Sequence, residues 1–251
     1  MSVLKRGINL FKNQGLKSFI RKSILYTKQS LDYPNILSIL KVKKYVVKIN
    51  DLDSAIDFVF SENGALIKPG QVKSEIQDAL KYSSKLILNN ILEIGTANGG
   101  SLFLLSRIAS DDAKVISLDL RGGKFGGGYP FWKKSLYLKF RRLHQRMELL
   151  RDNSHSLSSL SKVKKILNNN KLDLLFIDGD HSYEGVKRDF ELYSPLVRKG
   201  GIVIFHDITI HINKECDVSK FWSEVKKKYK NKEFVEDKNQ GWAGIGLIIK
   251  D

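Results

Sequence analysis

The chain has 251 residues, with 43 Lys and Arg against 27 Asp and Glu and a formal charge of +16. A hydrophobic share of 42% supplies a sizeable core and excludes global disorder. The single cysteine, Cys216, excludes an internal disulfide and has no clustered partners in the sequence of the kind a zinc site shows.

No apolar run approaches the roughly 20 residues a bilayer crossing needs. The first thirty residues also lack the uninterrupted apolar block of a secretory signal. A cytoplasmic protein is therefore expected. Charge is unevenly placed: residues 1–50 hold eleven Lys and Arg against one acid, Asp32. A basic arm of this kind suits contact with anionic lipid, an acidic glycan or nucleic acid, and equally a solvated face. Leu4, Ile8, Phe11, Leu16, Phe19 and Ile20 fall near helical spacing within it. That stripe can lie peripherally on the inner face of a membrane, or pack on the remainder of the chain or on a second subunit in a homo-oligomer.

A Gly- and Pro-containing stretch at 61–70 marks the expected boundary, placing a basic extension at 1–65 and a catalytic domain at 66–251. Val72, Ile76, Ala79, Leu80 and Ser83 then give one helical face. Apolar strand-like runs follow at 90–94, 114–119, 146–151, 172–178, 201–207 and 244–249, separated by helical patterns. Tyr183, Val186, Phe190 and Tyr193 form one such face; Val218, Phe221, Trp222, Val225 and Tyr229 form another. Short continuous apolar strands alternating with helices predict an α/β, Rossmann-like, doubly wound and mostly parallel sheet of seven strands, with helices on both faces.

In such a sheet ligands bind beyond the carboxyl ends of the strands. The first predicted strand runs into a turn with Gly95 and Gly99, where the backbone can approach a ligand closely. The spacing is Gly-x-x-x-Gly, so the dinucleotide fingerprint is missing. Glu93 sits two residues before Gly95, where a carboxylate repels a diphosphate but tolerates a cationic sulfonium with an amino-acid tail. Asp119 ends the second strand, the place where a ribose diol finds an acceptor. Asp152 and Ser154, after the third strand, suit an adenine edge, and they are also simple turn chemistry.

These residues carry a resemblance. The segments Leu92–Ser101, Phe176–Glu184 and Leu196–Asp207, in this order, resemble class I S-adenosylmethionine-dependent methyltransferases. Within that class they look like the branch with macrocin-type sugar O-methyltransferases and cephalosporin-cluster methyltransferase-like proteins. The resemblance covers about residues 70–249 and leaves 1–60 outside. It implies S-adenosylmethionine as cofactor, held by Glu93, Gly95, Thr96, Asn98, Gly99, Ser101, Asp119, Asp152, Ser154 and Asp178. It also implies a small-molecule or glycan hydroxyl as acceptor.

The fourth and fifth strands end in Asp178-Gly-Asp180-His181 and His206-Asp207. Gathering three acids and two imidazoles on one rim is costly, and a divalent cation relieves the repulsion. A cation that holds the acceptor hydroxyl would lower its pKa, and a nearby imidazole could take the proton. The resemblance implies this division too, with Asp178 and Asp207 as metal ligands, His206 as a third, and His181, beside Asp178, as the catalytic base. A histidine where related enzymes carry an oxygen ligand leaves Mg²⁺ and Mn²⁺ both open, as well as direct substrate orientation by His206 without a metal.

Residues 122–132, with five glycines, read as a loop able to cover a ligand. A nucleic-acid methyltransferase or binding protein is the alternative, prompted by the charge and by the Arg141–Arg146 run. No recognisable RNA-binding module supports it.

Overall fold

The computed structural model describes residues 36–122 and 128–251. The basic arm and the centre of the Gly-rich loop lie outside the described residues. The chain divides into two compact units, 1–40 and 41–251. The second therefore begins at Lys41, ahead of the 65/66 boundary expected from the sequence. The reason is burial. Helix α2 (Leu52–Phe60) is capped by Asp51, whose carboxylate accepts from the Ser54 N–H at 2.8 Å. Its Ala55, Ile56 and Val59 are fully buried and belong to the same core as the sheet. Helix α1 (Ile36–Val46) precedes it and buries Val42 and Val46.

Helix α3 (Lys73–Ser83) leads to β1 (Asn90–Ile94), and α4 (Gly100–Ile108) to β2 (Lys114–Asp119). The short α5 (Lys133–Tyr137) precedes β3 (Arg146–Arg151), and α6 (Leu157–Leu167) precedes β4 (Leu172–Ile177). Helix α7 (Tyr183–Tyr193) then crosses to β5 (Val197–His206), and α8 (Val218–Val225) leads into β6 (Lys230–Phe234) and β7 (Ile245–Ile249). Among the described residues the sheet has seven strands in the order β3-β2-β1-β4-β5-β7-β6. The first five are parallel, and β7 runs antiparallel to both neighbours.

Alternation along the strands divides the interior into two cores. Ile91, Val115, Leu174, Phe176 and Ile204 face one, with α2, α3 and α4. Leu92, Ile116, Leu175, Val203 and Phe205 face the other, with α6, α7 and α8. All six predicted strands are present within a few residues. The unnamed seventh, β6, reads Lys-Asn-Lys-Glu-Phe and is mostly exposed. Lysines on an edge strand discourage pairing with another chain and hide the strand from an apolar pattern.

Strand order reverses between β1 and β4, which opens the crevice where this architecture binds ligands. Register fixes what meets there. Ile94 pairs with Ile177, and Ile177 with Phe205, so the ends bearing Gly95, Asp178 and His206 lie side by side.

The packing of α2 yields a test. Ile56→Ala should lower unfolding stability by about 2–5 kcal/mol, as for a core residue, measured by urea denaturation. An unchanged midpoint would show that residues before 65 are not integral to the domain.

Candidate active site

Gly95 follows β1 with φ +88, and a Cβ there would overlap the Asp178 carbonyl oxygen. Only glycine permits this conformation together with so close a strand approach. Gly99 caps α4 at φ +90 with the Tyr137 ring against it. Beneath the turn lies Glu93, with no exposed surface. Its Oε2 accepts from the Thr96 hydroxyl at 2.6 Å, and that hydroxyl also meets Ser117 at 2.6 Å. Burial pushes the Glu93 carboxyl up to about 8, although the Ser101 and Thr96 hydroxyls pull it back. Glu93 therefore keeps its proton at neutral pH and braces the turn from below. The charge-repulsion argument against a diphosphate loses its force for this residue.

Asp119 ends β2 and is almost fully enclosed. Its carboxylate accepts from the N–H groups of Thr96 (3.0 Å), Ala97 (2.7 Å), Leu120 (2.7 Å) and Gly128 (3.0 Å). Burial raises its pKa and these four donors oppose the rise. Tyr137 donates to the Ala97 carbonyl at 2.7 Å, and the Lys133 ammonium donates to Asn98 Oδ1 at 3.1 Å. The chain from Gly128 to Tyr137 thus packs against the Gly95–Gly99 turn. Asp152 pairs with Lys162, and the Ser154 carbonyl accepts from the Tyr193 hydroxyl at 2.8 Å. Ser101 is buried with Glu93, whereas Asn98 is exposed.

On the other side of the crevice the β4 and β5 ends bring four predicted residues together. Asp178 Oδ1 lies 3.0 Å from His206 Nδ1 and 3.4 Å from His181 Nε2. Asp207 Oδ2 lies 2.9 Å from His181 Nδ1, and its Oδ1 is 3.4 Å from His206 Nδ1. Burial alone would drive both acids up and both imidazoles down. The mutual charges win: Asp178 and Asp207 fall below the usual carboxylate range, and His181 and His206 rise above the usual imidazole range. The pairing thus favours charged imidazoles beside charged carboxylates.

Asp207 adopts φ +60, and its Oδ1 accepts from the Ala243 N–H at 3.0 Å, with Ala243 itself at φ +59. Ala97, across the crevice, has φ +43. Left-handed backbone at non-glycine residues costs free energy and collects where function demands a set geometry.

A cleft of about 290 Å³ joins the two sides, lined by Gly95 and Ala97 from the turn after β1 and by Asp178, His181, His206 and Asp207. Gln71, Cys216 and Trp242 also line it, and sequence reasoning gave none of them a role. Gln71 Nε2 donates to Asp178 Oδ2 at 2.6 Å, while its buried Oε1 has no partner. His206 Nε2 is likewise buried without a partner. Glu75 accepts from the Glu236 N–H (3.0 Å), the Gln240 amide (2.8 Å) and the Gly244 N–H (2.9 Å), and so holds the loop that carries Trp242 and Ala243. His155, which had no evident partner in the sequence, lies 3.5 Å from buried Asp189.

Residues 92–208 match the family model described as a methyltransferase domain. The fold is shared with the O-methyltransferase from Bacillus cereus in complex with SAH, at TM-score 0.54 and 21% identity, over 83% of this chain and 97% of that one. It is shared also with the O-methyltransferase TomG of Streptomyces achromogenes, involved in tomaymycin synthesis and in complex with SAM, at TM-score 0.54 and 15% identity, over 80% and 89% of the two chains. An uncharacterised Acanthamoeba polyphaga mimivirus protein, R132, is 55% identical over 38 residues, 15% of this chain. The matches span 17% and 15% of the length of two curated relatives.

The Glu93 proton makes a prediction with a definite sign. A carboxyl whose pKa is raised from 4.5 to about 8 in the folded state stabilises fully below the unfolded pKa, and that contribution is lost as pH rises through 8. Glu93→Gln should remove the decline between those values, seen as a flatter melting-temperature profile. A parallel profile in both proteins would mean that Glu93 is ionised.

Proposed function

We propose that this class I, S-adenosylmethionine-dependent methyltransferase domain, matched over residues 92–208, passes its methyl group to a hydroxyl oxygen of a sugar-bearing acceptor. One observation carries the reading: a single cleft is lined by the donor turn, through Gly95 and Ala97, and by the acid–imidazole cluster at Asp178, His181, His206 and Asp207. A methyl donor on one wall and an acceptor hydroxyl on the other would lie within reacting distance. Gathering the two partners in one geometry is the main demand of a direct displacement. The sugar class rests on the sequence resemblance; the half-exposed Trp242 at the cleft mouth offers a flat apolar face against which a pyranose can lie. The nucleic-acid alternative has no recognisable RNA-binding module in the sequence to support it.

On the donor side, Gly95 and Gly99 let the backbone close on the cofactor, with Thr96, Asn98 and Ser101 shaping the turn. Asp119 would accept from the ribose diol, and Asp152 and Ser154 border the adenine end. S-adenosylmethionine supplies an electrophilic methyl group: the acceptor oxygen forms its bond to that carbon as the carbon–sulfur bond breaks. His181 would receive the hydroxyl proton. It can do so only as neutral imidazole, and Asp178 and Asp207 oppose that state while nothing else offsets their charge.

Asp178, His206 and Asp207 present one ligand atom each, all within 4.8 Å of one another. Oxygen and imidazole donors fit Mg²⁺ or Mn²⁺. Such an ion would supply the positive charge that favours an alkoxide-like acceptor and a neutral His181. The remaining roles belong to the chain: Gln71 and Ala243 orient the two acids, and Trp242 limits access of water.

Calorimetric titration with S-adenosylhomocysteine should show binding, weakened strongly by Asp119→Ala; no heat of binding at all would remove the cofactor assignment. His181→Ala should slow methyl transfer to a glycoside by about 10²–10⁴-fold, the worth of a general base, with S-adenosylhomocysteine affinity kept. An unaltered rate would take His181 out of the reaction. Transfer to non-sugar alcohols but to no member of a glycoside panel would discard the sugar class.

A further inference from the structure

Cys216 appears in the sequence as a thiol without neighbours, but the fold gives it partners. Its side chain lies with His181 and Asp207 in a trio whose ligand atoms are all within 4.8 Å of one another. Only 5% of the residue is exposed. Two backbone bonds hold it there. The Cys216 N–H donates to the Asn213 carbonyl at 3.0 Å, and the Asp217 N–H donates to the carbonyl of His181 itself at 2.8 Å. The loop after β5 is therefore fastened to the residue whose ring the thiol approaches. In the same cleft His206 Nε2 and Gln71 Oε1 are buried without partners, on side chains that are each 5% exposed. Buried polar groups are nearly always satisfied, so these two atoms, unpartnered among the described residues, leave bonding capacity unused on side chains that line the cleft.

We propose that His181, Asp207 and Cys216 form a second metal site, which takes a thiophilic divalent cation of the zinc type and, when filled, turns off the acceptor base. One sulfur, one nitrogen and one oxygen donor with an open fourth position is a standard zinc environment. Zinc bonds of about 2.0–2.3 Å put tetrahedral donors about 3.3–3.8 Å apart, so small side-chain adjustments close the trio around an ion. Thiolate is a poor ligand for Mg²⁺ and a good one for zinc. The chemistry of this trio thus differs from that of Asp178, His206 and Asp207, although both use Asp207. On binding, the thiol proton and one proton of the His181 imidazolium leave to solvent, and sulfur and nitrogen become ligands. A His181 nitrogen bound to zinc is no longer available to accept a proton. The binding claim stands without the methyltransferase reading; only the inhibitory consequence rests on it.

Co²⁺, a coloured stand-in for zinc, tests the site in the full chain without any acceptor. Titration should raise a near-ultraviolet thiolate-to-cobalt charge-transfer band that Zn²⁺ displaces and excess Mg²⁺ does not. Cys216→Ser should lose the band and keep its S-adenosylhomocysteine affinity. Absence of the band in the unaltered protein, or its persistence in Cys216→Ser, overturns the proposal. Should the variant misfold, the unaltered protein still decides. The chain has one cysteine, and bound zinc should slow its alkylation about tenfold or more by mass action; equal rates with and without zinc overturn the site. A cobalt band in a protein that fails to bind S-adenosylhomocysteine would sink the methyltransferase reading and leave the metal site intact.

Discussion

Two carboxylates at neighbouring strand ends, Asp178 and Asp207, govern the architecture around them. In a poorly solvated cleft their charges repel, and only nearby positive charge makes the pair tolerable. His181 and His206 supply that charge, each within hydrogen-bonding reach of at least one of the acids. The arrangement is balanced but not inert. Protons on the imidazoles and a bound cation are interchangeable ways of neutralising the same acids, so ligand state and protonation state at this rim are linked. The basicity of the histidines at this rim therefore depends on what else is present.

The cluster is kept in shape from a distance. Gln71, just ahead of α3, holds Asp178, and Glu75 on α3 gathers three donors from the segment that precedes β7. That segment in turn fixes Asp207 through Ala243. One short helix outside the sheet therefore steadies both acids, by two routes. The strained backbone at Asp207 and Ala243 persists because these contacts leave little alternative. On the opposite wall Gly95 lets β1 and β4 approach so closely that the donor turn and the acid cluster share a backbone contact.

Much of this was legible in the order of residues. Parallel strands buried on both faces read as continuous apolar runs, which is why β1, β2, β4 and β5 stood out, and the acids and imidazoles at their ends could be placed on one rim. What stayed hidden has physical causes. The edge strand β6 is lysine-rich and carries no apolar signal. Gln71, Glu75, Cys216 and Trp242 act through contacts between distant parts of the chain, and nothing in their local sequence announces that. Cys216 is the clearest instance: spacing excluded clustered partners, yet β5 and the β4–α7 loop deliver them in space. Nor does the sequence reveal the complete burial of Glu93, which raises its pKa and favours the protonated carboxyl. Ile56 and Val59, ahead of the Gly- and Pro-containing stretch, belong to the same core as the sheet, which a boundary read from turn residues does not reveal.

The proposed role of Asp119 as ribose acceptor bears on the strength of binding. Its carboxylate is already saturated by backbone amides, one of them from Gly128. A ribose hydroxyl arriving there enters by exchange, so the net benefit is the difference between two hydrogen bonds and not the full worth of one. Affinity for the nucleoside end of the proposed donor would thereby be moderated, and a departing donor would leave a carboxylate whose own backbone partners are at hand.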